Sequence, residues 1–299
     1  VALQPYQVSY NGLTFGPGTD VQLQGITGIR SLPPMRTGDQ ARARVDGYTP
    51  GQNLLDERII TLSFLVSVTS GSWETALANL AAAFTPFGDP STVNLSFAQW
   101  LATPSQPGML QFQLPGWTYP IAAFGRPTKY DLPIDTDYQY HYARVAVEMT
   151  CPDGVLYENS LIQSTTGLPS PTAGLTFPVT FPASFGASTG GSVQVTNSGN
   201  YPTFPVITIQ GPCTNPVVSL GSLQLGVAIS LGSTDSLVID MRGGSVTLDG
   251  TGLRNNLLTS GFTFFPLPAG TSTVGFSSSD ATQVTGTMTV ALLPAFAAV

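Results

Sequence analysis

Four arginines, Arg30, Arg36, Arg42 and Arg44, fall close together among Pro33, Pro34, Gly38 and Gly47. Guanidinium groups are planar forks suited to carboxylates or phosphates, but gripping nucleic-acid phosphate takes a broadly basic surface. This chain has a net charge of −7 and one lysine, Lys129. Carboxylates on a neighbouring subunit are therefore the expected partners of the arginines, against the plainer reading of a solvated loop. His141 is the only histidine, so no polydentate imidazole site can form, and no nucleophile elbow or zinc-ligand pair lies near it. It reads as structural. After residue 155 the acidic residues are few: Glu158, Asp235, Asp240, Asp249 and Asp280. Paired carboxylates for glycoside hydrolysis come together only through the fold. Cys151 and Cys213 are too few for a disulfide scaffold and lack metal-ligand spacing, so free structural thiols are expected. No catalytic residue, cofactor or metal site is expected, and the chain does not read as an enzyme.

The composition bounds what can position these residues. The chain has 299 residues, 42% hydrophobic, with 32 glycines and 25 prolines. That is turn-rich, yet short of the ~25–30% Gly plus Pro of disordered chains. Only 9% of residues are charged, against about 25% on average, so Thr, Ser, Gln, Asn and Gly must cover the surface. Such a surface suits a subunit surrounded by others. No apolar run approaches the ~20 residues that cross a bilayer, and VALQPYQVSYNG carries no signal-peptide pattern.

Along the chain, Leu13–Phe15 and Val21–Leu23 alternate around Gly16-Pro17-Gly18 and read as a hairpin. The arginine stretch reads as a long loop. Arg58–Val66 is the most hydrophobic strand of this half, nearly continuous, which predicts cover on both faces. Ser72-Trp-Glu74 opens one helix, with Ala76, Leu77, Leu80, Ala81 and Phe84 at helical spacing and Pro86 and Gly88 to stop it. The span 85–108 is loop-rich and carries Trp100. Met109–Leu114 and Trp117–Ile121 flank Pro115-Gly116 as a second hairpin. Tyr138–Thr150 reads as a long strand with Ala143, Val145, Val147 and Met149 on one face and Tyr138, Tyr140, Tyr142, Arg144 and Glu148 on the other. That second face should meet something.

From Glu158 to Thr189 the chain is rich in Ser, Thr, Pro and Gly with Phe177, Phe181 and Phe185, an extended crossing segment. Two domains follow, 1–155 and 156–299. Gly191–Pro212 then alternates as Val193 and Val195, turns at Asn197-Ser-Gly199-Asn200, and runs β-branched through Val206–Ile209. A turn between two strands is the plain reading. Short strands follow at regular spacing: Val217–Leu220, Ser222–Leu225, Val227–Leu231, Ser236–Asp240, Ser245–Leu248, Phe262–Phe265, Ser272–Phe276 and Thr287–Leu293. They predict a two-sheet antiparallel sandwich.

In order, these pieces resemble the distal tail proteins of bacteriophages with long, non-contractile tails. The first half contributes the glycines and arginines leading to Asp46-Gly47, then Arg58-Ile-Ile-Thr-Leu, the helix, and the strand ending near Pro152-Asp153. The second contributes Asn197–Asn200, Pro205–Ile209, Gly211, Asn215-Pro216, Leu237–Asp240 and Phe264–Gly270. The resemblance implies a mainly β protein: an N-terminal β-sandwich-like domain with one helix, forming a hexameric ring around the tail lumen, and a C-terminal galectin-like sandwich projecting outward. It implies a structural virion protein of the tail tip, assembled in the host cytoplasm. The partners it implies are further copies of the chain, the tail tube protein and the tip hub protein, with receptor-binding proteins as additional candidates. DNA would be only transient cargo of the lumen, and no membrane insertion is implied. The alternative is a glycan-binding sandwich contacting the host surface, for which the second half offers no Trp.

Overall fold

The computed structural model describes residues 3–67, 72–85, 108–169, 191–279 and 285–299. Trp100, Pro86, Gly88 and the phenylalanines at 177, 181 and 185 lie outside the described residues. The fold is mainly β, built from antiparallel sheets with one α-helix among the described residues. Contacts divide it into two compact units. The first takes the described residues before 161 together with Ala295–Val299, and the second takes Leu161–Pro294.

The first unit is built on two larger sheets. One has the order Leu13–Phe15, Val8–Tyr10, Met109–Phe112, Ile121–Phe124, Leu156–Glu158, Ala295–Phe296; the other runs Arg126–Asp131, Ala143–Cys151, Arg58–Val66, Val21–Thr27. Strands of both sheets bury alternate residues in one core, Val8, Phe112 and Leu156 from the first with Ile60, Leu62, Phe64, Val145 and Val147 from the second. The helix Trp73–Phe84 buries Ala76, Leu77, Leu80 and Phe84. Phe84 is its anchor: its ring stacks on Tyr10 at 5.0 Å and lies 5.8 Å from Phe64 and 5.9 Å from Phe15. Aromatic pairs at such spacing add to the burial itself. Ser72 stands at the N-cap as expected, but its side chain makes no cap hydrogen bond.

Arg58 ties the unit together. It opens the longest strand pair, opposite Cys151, and is 1% exposed. Its Nε donates to the Gly154 carbonyl at 3.0 Å, Nη1 to the carbonyls of Ser31 at 2.8 Å and of Gly28, and Nη2 to that of Ala297. A buried cation is tolerable only when its donors are met, and four carbonyls from three separate chain segments meet this one. Burial pulls its guanidinium below the ordinary value, with Cys151 acting the other way. Gly28 has φ +88° and a Cβ there would meet the Ile59 carbonyl oxygen at 2.1 Å, so only glycine lets that loop come in.

The second unit is inserted. The chain leaves the first unit after Leu156–Glu158 and re-enters it at Ala295–Phe296, and these two strands pair with each other, Leu156 with Phe296 and Tyr157 with Ala295. Between them stand a six-stranded sheet, Ile162–Gly167, Thr287–Leu292, Val206–Gln210, Ser236–Asp240, Ser245–Leu248, Gly252–Leu253, and a four-stranded sheet, Ser192–Asn197, Gly270–Ser277, Val217–Leu220, Leu223–Gly226. Ile207, Ile239 and Val290 of the former share a core with Val195, Val218 and Val274 of the latter. The expected sandwich is present.

Several local readings change. Leu13–Phe15 pairs back onto Val8–Tyr10 across Asn11-Gly12, while Val21–Thr27 joins the other sheet, because Phe15 and Val21 must both reach the core. Arg58–Val66 alternates buried with less buried residues, and Ile59 is exposed, so its hydrophobic run does not mean two covered faces. The long strand begins at Ala143, preceded by a 3-10 turn over Asp137–Tyr140 and a left-handed His141. Met109–Phe112 does pair with a following strand, but with Ile121–Phe124. Phe262–Phe265 is not a strand among the described elements. The turn at Asn197 connects strands of different sheets: its buried side chain donates to the Tyr201 carbonyl at 2.8 Å and accepts from Gly199 N at 3.1 Å. The segment then crosses the sandwich.

Arg58→Met should lower the unfolding free energy by about 3–5 kcal/mol, the usual result of removing one side of a buried charged cluster, as read by urea denaturation. Arg58→Lys should not restore it, because one ammonium cannot span three directions at once. Burial also raises the thiols, Cys151 to about 12 and Cys213 to about 11, and the Tyr10 phenol to about 12. Acids whose native values are raised favour folding below their unfolded values and lose that contribution as pH climbs towards the native ones. Melting temperature should therefore fall steadily from about pH 9 upward, and the native thiols should resist a disulfide reagent at pH 8 while both react in denaturant.

Candidate functional site

The four arginines do not lie in a featureless loop. Met35–Thr37 pairs with Asn53–Leu55, and Gln40–Ala41 pairs with Tyr48–Thr49, so the segment is a two-stranded arm. Arg36 lies in the first ladder opposite Leu54. Arg42 and Arg44 stand at the tip, where Arg42 N donates to the Gly47 carbonyl at 3.2 Å. Arg30 stands apart, beside the buried Ile29 at the base. A Cβ on Gly51 would meet the Gly38 carbonyl at 2.3 Å, so glycine permits the two sides to touch between the ladders, and Asp39 Oδ1 accepts from Gly51 N at 2.9 Å. The sequence reads as a long loop because the ladders are two and three residues long, too short for an alternation to be visible.

Every residue from 34 to 54 is exposed. Met35, Val45, Tyr48 and Leu54 are among them, Val45 at 65%. A lone two-stranded ribbon is marginal in water, and one with apolar side chains open on both faces calls for cover. The ion pairs found among the described residues, Lys129–Asp131 at 3.6 Å and Arg144–Asp137 at 3.8 Å, do not involve the arm. Its arginines are available to a partner.

A second exposed feature lies at the far end of the same sheet. Between Arg126–Asp131 and Ala143–Cys151, Ile134 is 81% and Tyr140 70% exposed, and Tyr142 is exposed as well. The turn that presents them is fixed from within. Asp135 Oδ1 accepts from the backbone N of Asp137 and of Tyr138, at 3.0 and 3.2 Å. Tyr138 and His141 each meet the buried Trp73 edge-on, at 4.6 and 5.2 Å. His141 is thus a packing residue. The tyrosines were picked out from the sequence, but their outward direction comes from this turn.

Among the described residues the four-stranded sheet has two unpaired edges, Val21–Thr27 and Arg126–Asp131, and an unpaired edge can accept another strand. Its outer face is mixed, with Thr61, Ser63, Arg144, Glu148 and Thr150 half-buried or exposed beside Ile59 and Leu65. Among the described residues no group of three or more His, Cys, Asp or Glu is placed to hold a metal ion, and no helix is long and apolar enough to cross a membrane.

Comparison with known proteins gives this arrangement a family. Residues 198–289 match the model of the siphovirus-type tail component, C-terminal domain. Among solved structures the chain is similar to the Dit (gp 19.1) protein of phage SPP1, described as a paradigm of the hub adsorption apparatus in phages infecting Gram-positive hosts. The TM-score is 0.62 at 13% identity, covering 98% of this chain and 100% of that one. A more distant likeness is to a chain of the phage P2 baseplate in its activated conformation, with a TM-score of 0.43 at 9% identity over 96% of this chain and 97% of that one. No curated protein sequence matches. Residues 198–289 thus match the C-terminal domain of siphovirus-type tail components, and the chain has a fold similar to that of the SPP1 Dit protein.

Proposed function

We propose that the protein is the structural hub at the end of a phage tail, six copies closing a ring that joins the tail tube to the tip and leaves a lumen through which DNA passes. The observation that carries this reading is the four-stranded sheet with its two open edges and exposed arm. Surfaces of different shape at the two sides of one subunit make heterologous contacts, and such contacts close into rings when the rotation allows. The first unit, with residues 156–160 and 295–299 counted to it, forms the ring; the rest of the second half is a sandwich that docks other tail proteins. The role is structural, without catalysis. Its place is the virion, reached by assembly in the host cytoplasm.

The arginines act in assembly. A DNA-conducting lumen works better without basic hooks, since phosphate contacts would hold the genome in place. Arg30, Arg36, Arg42 and Arg44 therefore serve contacts between subunits, Arg42 and Arg44 foremost because they stand at the tip of the arm.

Native mass spectrometry of the full chain at high concentration should show a hexamer or stacked hexamers; monomer alone, with tail-tip proteins added, would refute the ring. Arg42→Ala with Arg44→Ala should shift that equilibrium towards monomer while the melting temperature stays within about a degree or two, since exposed substitutions change stability by under about 0.5 kcal/mol. For the sandwich, a sugar site needs an exposed aromatic platform with convergent polar groups, and the second half has one tyrosine after residue 157, Tyr201, and no Trp. Titration with host cell-wall polysaccharide should show nothing tighter than about millimolar. Saturable micromolar binding lost in Tyr201→Ala would establish the glycan reading instead.

A further inference from the structure

The arm and the tyrosine turn belong to opposite ends of one strand pair. Arg58, where the arm returns to the sheet, is opposite Cys151, whereas Val66 is opposite Ala143, where the tyrosine turn ends. Nine residues of strand separate them, or about 26 Å at ~3.3 Å per residue. The two features differ in chemistry as well as in place. The tip 40–49 carries Arg42 and Arg44 against Asp46, with Val45 and Tyr48 exposed; the turn 132–142 carries Asp135 and Asp137 and no Lys or Arg, with Ile134, Tyr140 and Tyr142 exposed. Arg144 reaches Asp137 at 3.8 Å, but both side chains are more than half exposed, 76% and 54%. An exposed pair of that kind is worth little and exchanges partners readily.

We infer that the turn 132–142 is the docking site for the arm of a second copy of this chain. Resting on the ring reading, this names the surface that the arm covers. Guanidinium groups stack on tyrosine rings and fork onto carboxylates, so Arg42 and Arg44 find both kinds of partner on this turn. Val45 and Tyr48 bury themselves against Ile134 and Tyr140, giving the arm the apolar cover it lacks among the described residues of its own chain. The turn is suited to receive it. Held by Asp135 and by the packing of Tyr138 and His141 on Trp73, it presents Tyr140 and Tyr142 without an ordering cost at the moment of contact. Because donor and acceptor surfaces sit at opposite ends of one subunit, each copy gives its arm to one neighbour and receives the arm of another.

The natural thiols are buried, with raised values, so introduced cysteines can be cross-linked selectively. Full-length Arg44→Cys and full-length Tyr140→Cys, mixed and treated with a short bis-maleimide, should give a covalent dimer holding one copy of each. Each variant alone should give much less. Arg42→Glu with Arg44→Glu should abolish assembly, and mixing that variant with Asp137→Arg should restore mixed oligomers. If the wild type forms its ring and neither the cross-link nor the rescue occurs, the arm docks elsewhere and this inference falls while the ring stands. If the wild type stays monomeric, both fall.

Discussion

One buried guanidinium governs how the first unit is put together. Arg58 carries a positive charge into a site that is almost closed to water, and no carboxylate forms an ion pair with it among the described residues. Its stability there depends on backbone carbonyls from the loop 28–31, the turn at Gly154 and the segment at Ala297. Those segments lie far apart in sequence. The same group therefore orients the base of the arm, the end of the long strand pair and the returning chain. Misplacing any one of them would strand a buried charge.

The arm depends on that arrangement in turn. It leaves the body at the loop that Arg58 holds and comes back at Arg58 itself, so a ribbon with little stability of its own starts from fixed points. Rigid support under an exposed element lowers the ordering cost of any contact it makes. The tyrosine turn is built on the same plan from different parts: an aspartate cap and two aromatic rings against Trp73. In both places buried residues hold exposed ones in position.

How much of this could be read in the sequence follows from physics. Alternation of Ala143, Val145, Val147 and Met149 with less apolar neighbours announced the long strand, and the i, i+3, i+4 pattern of Leu77, Leu80 and Ala81 announced the helix. Period alone carries that information. The sandwich was legible because its strands are short, frequent and separated by turn residues. The partner of a strand is a different matter: Leu13–Phe15 and Val206–Gln210 were placed with their sequence neighbours, whereas the core assigns them by burial. The role of Arg58 left no local mark at all. An arginine at the start of a hydrophobic strand looks like its solvated end, and only long-range carbonyls make it the most buried cation. The arginines at 36, 42 and 44 were legible as a cluster, and the arm that displays them was not.

The insertion of the second unit between two paired strands has a temporal consequence. Residues 295–297 are made only after the whole sandwich has been made, yet they close the edge of the first sheet and fill the last side of the Arg58 site. During synthesis, units nearer the start of a chain ordinarily fold first. Here the earlier unit waits for the later one, holding an incomplete sheet edge and an unmet guanidinium until the sandwich has emerged. The first unit is thus completed late, only once the last residues of the chain are available to it.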